Sequence, residues 1–190
     1  MSDKRQDILD TAMRLFAAHG YHAVGIDRII AESGAAKMTM YKYFPSKTAL
    51  ILAVLTERDR RFRESLFSFV EGFELPAEKI QAVFTWHDRW LNESNFNGCM
   101  FINAAAEYPD IQDAVHRLAI QHKQAIQEFL STFIGEKLTK TRVQRLAVQL
   151  SQLLDGAIVA AQVMGDKNAA LTAWRSANLL LKAEGVGSES

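Results

Sequence analysis

One segment of the sequence, residues 26–50 (IDRIIAESGAAKMTMYKYFPSKTAL), constrains the fold more than any other. Apolar residues recur at helical spacing over residues 26–33, and Gly34 follows where a helix would end in a left-handed conformation. A second run, residues 36–44, is too short to be a stable helix alone and ends at Pro45–Ser46, where the serine is placed to cap a further helix. Two short helices joined by a glycine-containing turn indicate a helix-turn-helix, whose second helix lies in the DNA major groove.

Apolar, aromatic and glycine positions in the first third of the chain follow a family pattern in a fixed order and spacing. They are Ile8, Ala12, Leu15, Phe16, Gly20, Tyr21, Ile26, Ile29, Ser33, Gly34, Tyr41, Tyr43, Phe44, Lys47 and Leu50. At these positions the chain resembles the TetR family of bacterial transcriptional repressors. It departs from the family at Gly25, where a hydroxyl residue usually caps the second helix, and at Ala36, where serine usually opens the recognition helix. A lost serine cap costs about 1 kcal/mol, which leaves the fold in place.

The composition favours an all-α fold. The 190 residues are 48% hydrophobic and include only three prolines and one cysteine, which excludes disorder and an internal disulfide framework. We expect about nine helices. The resemblance implies an N-terminal three-helix helix-turn-helix domain in residues 1–50. A larger helical ligand-binding and dimerisation domain would then follow in residues 51–185.

The net charge is zero, but the charges are unevenly distributed. Residues 1–63 contain 11 lysines and arginines against 7 aspartates and glutamates, whereas residues 64–190 contain 11 against 15. The excess of four positive charges at the N-terminal end is suited to phosphate, and the acidic remainder would stay away from DNA. Four arginines in residues 58–63 belong either to this basic patch or to an ordinary solvated helix face.

The second helix of the motif carries the candidate DNA-binding residues: Lys37, Met38, Thr39, Tyr41, Lys42, Tyr43 and, at the start of the next helix, Lys47. Lys37 can donate to guanine, and apolar groups at Met38 and Tyr43 can meet a thymine methyl group. The hydroxyl of Thr39 is suited to a phosphate oxygen, and the resemblance implies phosphate contacts at Tyr41 and Lys47.

The core of this small domain is expected to contain aromatic and β-branched residues of the second and third helices. These are Ile29, Ile30, Tyr41 and Phe44, packed against the apolar face of the first helix. Tyr41 is therefore expected both to pack in the core and to contact DNA.

Two C-terminal helices, residues 139–164 and 168–183, each carry a wide apolar stripe that needs cover on more than one side. The resemblance implies that the same hairpin of a second subunit supplies it, forming a homodimer through residues 139–183. A dimer would place two recognition helices about one DNA turn or more apart, so the expected partner is a palindromic double-stranded operator. The charged N-terminus and the lack of an 18-residue apolar run predict no signal peptide, no membrane span and a cytoplasmic location.

The larger domain contains aromatic and polar residues that could enclose a small-molecule effector. The candidates are Phe62, Trp86, Trp90, Phe101, Asn103 and Glu107. The apolar pattern from Ser46 to about Gly72 predicts one long helix that leaves the helix-turn-helix. A ligand that favours a conformation in which this helix is tilted would move the two recognition helices of the dimer apart and release DNA. The alternative for most of these side chains is an ordinary place in a helical core.

Two further functions are weaker alternatives. The sequence contains no nucleophile elbow, no glycine-rich phosphate loop and no metal-spaced Cys and His residues, so a small helical enzyme would depend on scattered residues alone, and no cofactor or metal is expected. A redox-responsive regulator would act through Cys99, by oxidation or by an intersubunit disulfide. The apolar neighbours of Cys99 favour a packing role instead.

Overall fold

The computed structural model describes residues 3–135 and 138–186 of the chain. Over these residues the secondary structure consists of nine α-helices and no strand. The helices are α1 (Lys4–His19), α2 (Ile26–Ser33), α3 (Lys37–Tyr43), α4 (Lys47–Glu71), α5 (Pro76–Leu91), α6 (Met100–Glu107), α7 (Ala114–Ser131), α8 (Lys140–Met164) and α9 (Ala169–Ala183). The prediction of an all-α fold with about nine helices is confirmed.

Local signals in the sequence account for most helix ends of the helix-turn-helix. Gly20 and Gly34 follow α1 and α2 with φ of 83° and 61°, a region in which a side chain would be strained. The Ser46 hydroxyl accepts a hydrogen bond at 3.0 Å from a backbone N–H in the first turn of α4, as predicted for a cap. Gly25 and Ala36 are the N-caps of α2 and α3 and form no side-chain hydrogen bond, so these two helices depend on packing.

The bounds of α7 differ from the sequence prediction. Apolar residues at helical spacing predict one helix over residues 110–133, whereas α7 spans only Ala114–Ser131. The Asp110 carboxylate accepts a hydrogen bond from the backbone N–H of Gln112 at 2.9 Å, and the Asp113 carboxylate accepts one from that of Val115 at 2.7 Å. Aspartates that bond nearby amides favour turns and caps over helix interiors. Apolar spacing carries no information about this competition.

The described residues form two compact units. Unit 1 comprises those of Met1–Phe62 and Cys99–His122, and unit 2 comprises those of Arg63–Gly98 and Lys123–Ser190. Unit 1 therefore contains α1 to α3, α6 and the first parts of α4 and α7. The division at residue 50 between a DNA-binding and an effector domain concerns function and stays a prediction.

In unit 1, α1, α2 and α3 pack around a small apolar core. Ile29 and Phe44 are buried, as predicted, whereas Ile30 is partly exposed. Tyr41 is 44% exposed and Met40 is fully buried. The central core residue of α3 is therefore Met40 rather than Tyr41, which corrects the expected core.

In unit 2, α9 packs against both α5 and α8. The ring centroids of Phe84 in α5 and Trp174 in α9 lie 5.5 Å apart. By length and composition alone α8 could cross a membrane, but a core helix of a soluble protein meets the same criterion. The apolar residues Leu146, Leu150 and Leu154 of α8 are buried, which agrees with a core helix.

Candidate nucleic-acid interface

Helix α3 has one buried side and one exposed side. Met40 and Phe44 are buried and hold the helix on unit 1. Met38 is 87% exposed although it is a large apolar residue, and Lys37 and Tyr41 are exposed near it. The short helix therefore presents a mixed basic, apolar and aromatic surface to solvent.

The structure brings the seven predicted DNA-binding residues together on α3 and the start of α4. Lys37, Met38, Tyr41, Lys42 and Tyr43 are exposed, whereas Thr39 and Lys47 are partly exposed. Their contacts with DNA stay a prediction.

Lys37 already has a weak partner. Its Nζ atom lies 3.7 Å from a carboxylate oxygen of Asp27, and both side chains are largely exposed. Exposed ion pairs contribute about 0–1 kcal/mol to stability. The Lys37 ammonium can therefore leave Asp27 for a DNA acceptor at little cost.

Lys47 is held against the loop between α1 and α2. Its Nζ atom donates a hydrogen bond to the backbone carbonyl of His22 at 3.1 Å. Burial lowers the pKa of the Lys47 ammonium, and the nearby Glu107 carboxylate opposes that shift. An ammonium has three donors, so one bond to His22 leaves two for a phosphate.

Glu107, at the end of α6, joins two backbone groups of the same loop. One carboxylate oxygen accepts from the backbone N–H of Tyr21 at 2.8 Å, and the other accepts from that of His22 at 2.6 Å. A Cβ atom added to Gly20 would lie 2.7 Å from Glu107 Oε1, so the loop approaches the carboxylate closely. Glu107 was predicted to contact an effector. The structure shows that its carboxylate holds the α1–α2 loop, a partnership that no sequence spacing indicates, and its contact with an effector stays a prediction.

The other end of α6 contacts the same loop. The Tyr21 hydroxyl donates to the backbone carbonyl of Met100 at 2.8 Å. Burial raises the pKa of Tyr21 strongly, so the hydroxyl remains a donor at physiological pH. Helix α6 thus holds the α1–α2 loop through hydrogen bonds near both of its ends.

The arginines of α4 mostly serve intramolecular ion pairs. Arg60 and Arg61 donate to the Glu57 carboxylate at 2.7 and 2.6 Å, and these bonds lower the pKa of Glu57 to about 2. Arg61 also bonds Asp10 at 2.6 Å. The Arg58 guanidinium lies 5.8 Å from the ring centroid of Phe62. These contacts favour a structural role for this arginine run over a phosphate-binding patch.

Comparison with known proteins agrees with this arrangement. Residues 8–54 match the family model described as bacterial regulatory proteins, tetR family, and residues 76–177 match a tetracyclin repressor-like C-terminal domain. The chain belongs to the TetR family. It is therefore a transcriptional regulator with a helix-turn-helix DNA-binding domain followed by a helical C-terminal domain, and ligand-responsive repression is typical of its family.

Two relatives match nearly the whole of this regulator, and a third matches less than half of it. The TetR-family regulator SCO4454 from Streptomyces coelicolor is 32% identical with a TM-score of 0.88, over 96% of this chain and 90% of that one. The uncharacterised regulator YxaF of Bacillus subtilis is 24% identical over 96% of this chain and 97% of its own length. LmrA of the same species is 40% identical over 81 residues, which are 42% of this chain and 43% of LmrA.

The six predicted effector residues of this TetR-family regulator belong to different units. Phe62, Phe101, Asn103 and Glu107 lie in unit 1, whereas Trp86 and Trp90 lie in unit 2.

Within unit 1, two of these residues surround a buried histidine rather than an open site. The Phe101 ring stacks on His122 at 3.7 Å, and the Phe62 ring meets it edge-on at 5.1 Å. The His122 Nδ1 atom lies 2.7 Å from a carboxylate oxygen of Asp59. The structure therefore favours a core role for Phe62 and Phe101, and their contact with a ligand stays a prediction.

Cys99 precedes α6 as its N-cap and is buried. Its neighbours Met100 and Phe101 are buried as well. A thiol in this position is shielded from oxidants, so the structure supports the packing role over the redox alternative.

Proposed function

We propose that this regulator is a dimeric repressor that leaves a palindromic operator when a small, largely apolar ligand binds. Residues 1–50 bind DNA, and residues 51–185 bind the effector and a second subunit in the cytoplasm. The proposal includes no catalytic role, in line with the naming of relatives such as LmrA and YxaF as transcriptional regulators. The observation that carries it is the exposed side of α3, where Met38 stands 87% exposed beside two exposed lysines.

The homodimer is proposed to form through residues 139–183. Support comes from large apolar side chains that α8 and α9 leave exposed: Val159, Val163, Met164, Leu171 and Leu179. In addition, a Cβ atom added at Gly156 of α8 would meet nothing within 4 Å, so the space beside the backbone at this position is open to a second subunit. An apolar surface of this kind on a helical hairpin is suited to the same surface of a second copy.

Release from DNA is proposed to work through α4 and α6. Helix α4 is continuous from Lys47 to Glu71, so a tilt of this helix moves Lys47. The carboxylate of Glu107 in α6 holds the loop whose carbonyl accepts from Lys47. A ligand that binds the tilted conformation more tightly shifts the population away from the DNA-binding one.

The DNA contacts separate into two classes that one experiment distinguishes. We expect Tyr41→Ala and Lys47→Ala to weaken binding to all DNA sequences alike, because phosphate contacts carry no sequence information. Lys37→Ala is expected to change the preferred sequence, with a cost of about 1–3 kcal/mol at one base position. Selection of bound sequences from a random DNA pool at a stated salt concentration measures both effects.

A charge control belongs to this experiment. Lys79 in unit 2 lies 5.7 Å from the ring centroid of Phe133, and Lys79→Ala removes one positive charge without touching α3. Its selected sequences should match those of the unaltered protein. An unchanged sequence preference in Lys37→Ala contradicts the base-reading role of Lys37. If the unaltered protein enriches no palindrome, binding of a dimer to a palindromic operator is contradicted.

A further inference from the structure

Unit 2 contains a pocket between α4 and α5 that the predicted effector residues only partly cover. Its volume is about 450 Å³, within the range of small-molecule sites in proteins. Its lining includes Ser65 and Phe69 of α4, Trp86, Arg89 and Trp90 of α5, and Glu93, which follows α5. Arg89 and Glu93 are not among the candidates that the sequence suggested.

The aromatic part of the pocket is held in place. The ring centroids of Trp86 and Trp90 lie 5.9 Å apart, and the Trp90 ring meets Phe96 edge-on at 5.2 Å. The indole N–H of Trp86 donates to the Ser65 hydroxyl at 3.1 Å, which sets the orientation of this ring. Two positioned indoles form a surface on which a planar apolar group can stack.

Arg89 supplies the polar part of the pocket. Its guanidinium lies 4.6 Å from the ring centroid of Phe69. Among the residues that the structure describes, no carboxylate lies within ion-pairing distance of Arg89, in contrast to Arg60 and Arg61, which bond Glu57. Stacking uses the face of a guanidinium and leaves its N–H edges for a planar acceptor such as a carboxylate.

We propose that this pocket binds a small aromatic carboxylate, with the acid on Arg89 and the ring against Trp86 and Trp90. The inference rests on the proposed ligand-responsive function and names the chemical class of the effector. An organic cation is disfavoured because the Arg89 guanidinium already places a positive charge over Phe69. Glu93 follows Arg89 by four residues and lines the same pocket, so it opposes a second negative charge on the ligand.

The class of ligand is tested with three probes of the same size. These are 2-naphthoate, the neutral 2-naphthylmethanol and the cationic 2-naphthylmethylammonium, titrated into the full-length protein at pH 7 by calorimetry. We expect 2-naphthoate to bind at least about tenfold more tightly than the alcohol, since a charge-assisted bidentate pair replaces a neutral hydrogen bond. Equal affinities for acid and alcohol, or tighter binding of the cation, would overturn the proposal.

Tryptophan fluorescence locates the probe. The chain has three tryptophans, and Trp174 lies outside the pocket against Phe84. In a Trp174→Phe variant, 2-naphthoate should still change the emission, because Trp86 and Trp90 report on the pocket directly. Unchanged emission at a concentration where calorimetry shows saturation would place the probe elsewhere and refute the site.

Two substitutions test the roles of the charged residues. Arg89→Gln should lower the affinity for 2-naphthoate at least about tenfold and leave the affinity for the alcohol unchanged. The matched control Arg117→Gln, on the exposed side of α7, should change neither affinity. Glu93→Gln should raise the affinity for 2-naphthoate, because it removes a negative charge from the pocket. This variant tests the proposal even if Arg89→Gln does not fold. The assignment is contradicted if Glu93→Gln binds 2-naphthoate more weakly than the unaltered protein does. It is also contradicted if Arg89→Gln folds and binds 2-naphthoate with unchanged affinity.

DNA release separates this inference from the proposed function. If 2-naphthoate binds through Arg89 but leaves the protein–DNA complex intact at saturation, the pocket assignment stands and effector control through it fails. If a different compound releases the DNA and 2-naphthoate does not bind, the ligand-responsive function stands and the aromatic carboxylate is refuted.

Discussion

Leu179→Asp is expected to convert the regulator into a monomer and to reduce its operator affinity at least about a hundredfold. Leu179 lies in α9 and is 69% exposed in the isolated chain. If the proposed interface is two-fold symmetric, each substitution introduces two carboxylates into an apolar contact, which costs several kcal/mol. Sedimentation equilibrium checks the mass against the 21.3 kDa of one chain.

A matched control distinguishes the interface from a general effect of an added charge. Ile111 is also large, apolar and exposed, at 58%, but it belongs to unit 1. Ile111→Asp should leave the dimer and its operator affinity unchanged. A Leu179→Asp protein that remains dimeric at micromolar concentration would show that residues 139–183 do not form the interface.

Glu107→Ala is expected to lower both the stability and the DNA affinity. The substitution removes two charge-assisted hydrogen bonds to the backbone of Tyr21 and His22. Because the site is partly open to solvent, we expect a loss of about 2 kcal/mol, which corresponds to a fall in Tm of about 5 °C. DNA binding should weaken as well, since the freed loop also carries the carbonyl that positions Lys47. Thermal melts and DNA titrations measure the two effects.

Two variants make this result specific. Glu107→Gln keeps one acceptor oxygen and should lose less stability than Glu107→Ala. Glu74→Ala removes an exposed carboxylate between α4 and α5 and should change neither quantity. If Glu107→Ala melts at the same temperature as the unaltered protein, the hydrogen bonds of Glu107 contribute nothing to the fold.

The helix-turn-helix was predictable because its signals are local. Gly34 ends α2 in a left-handed conformation, and Ser46 caps α4 through a bond that spans three residues. Such interactions join residues close in sequence, so the spacing along the chain already contains them. The exposed positions of Lys37 and Met38 follow from the same short helix.

The tertiary structure decided the contacts of residues whose partners lie far away in sequence. Glu107 reads as a candidate ligand contact in the sequence, yet its carboxylate bonds amides 85 and 86 residues earlier. Arg61 reads as part of a basic patch, yet it bonds Asp10 across 51 residues.

Sequence alone thus determined which helices form and most of their ends, since periodicity and capping act over a few residues, whereas the start of α7 was misplaced. Which charged groups meet, and which aromatic residues are left to form a pocket, depended on packing between helices. The Arg89 pocket shows this most clearly, because it combines residues of α4 and α5 that no local pattern links. Hydrogen bonds and ion pairs are satisfied by whatever partner the fold brings within about 3 Å, and sequence spacing does not carry that distance.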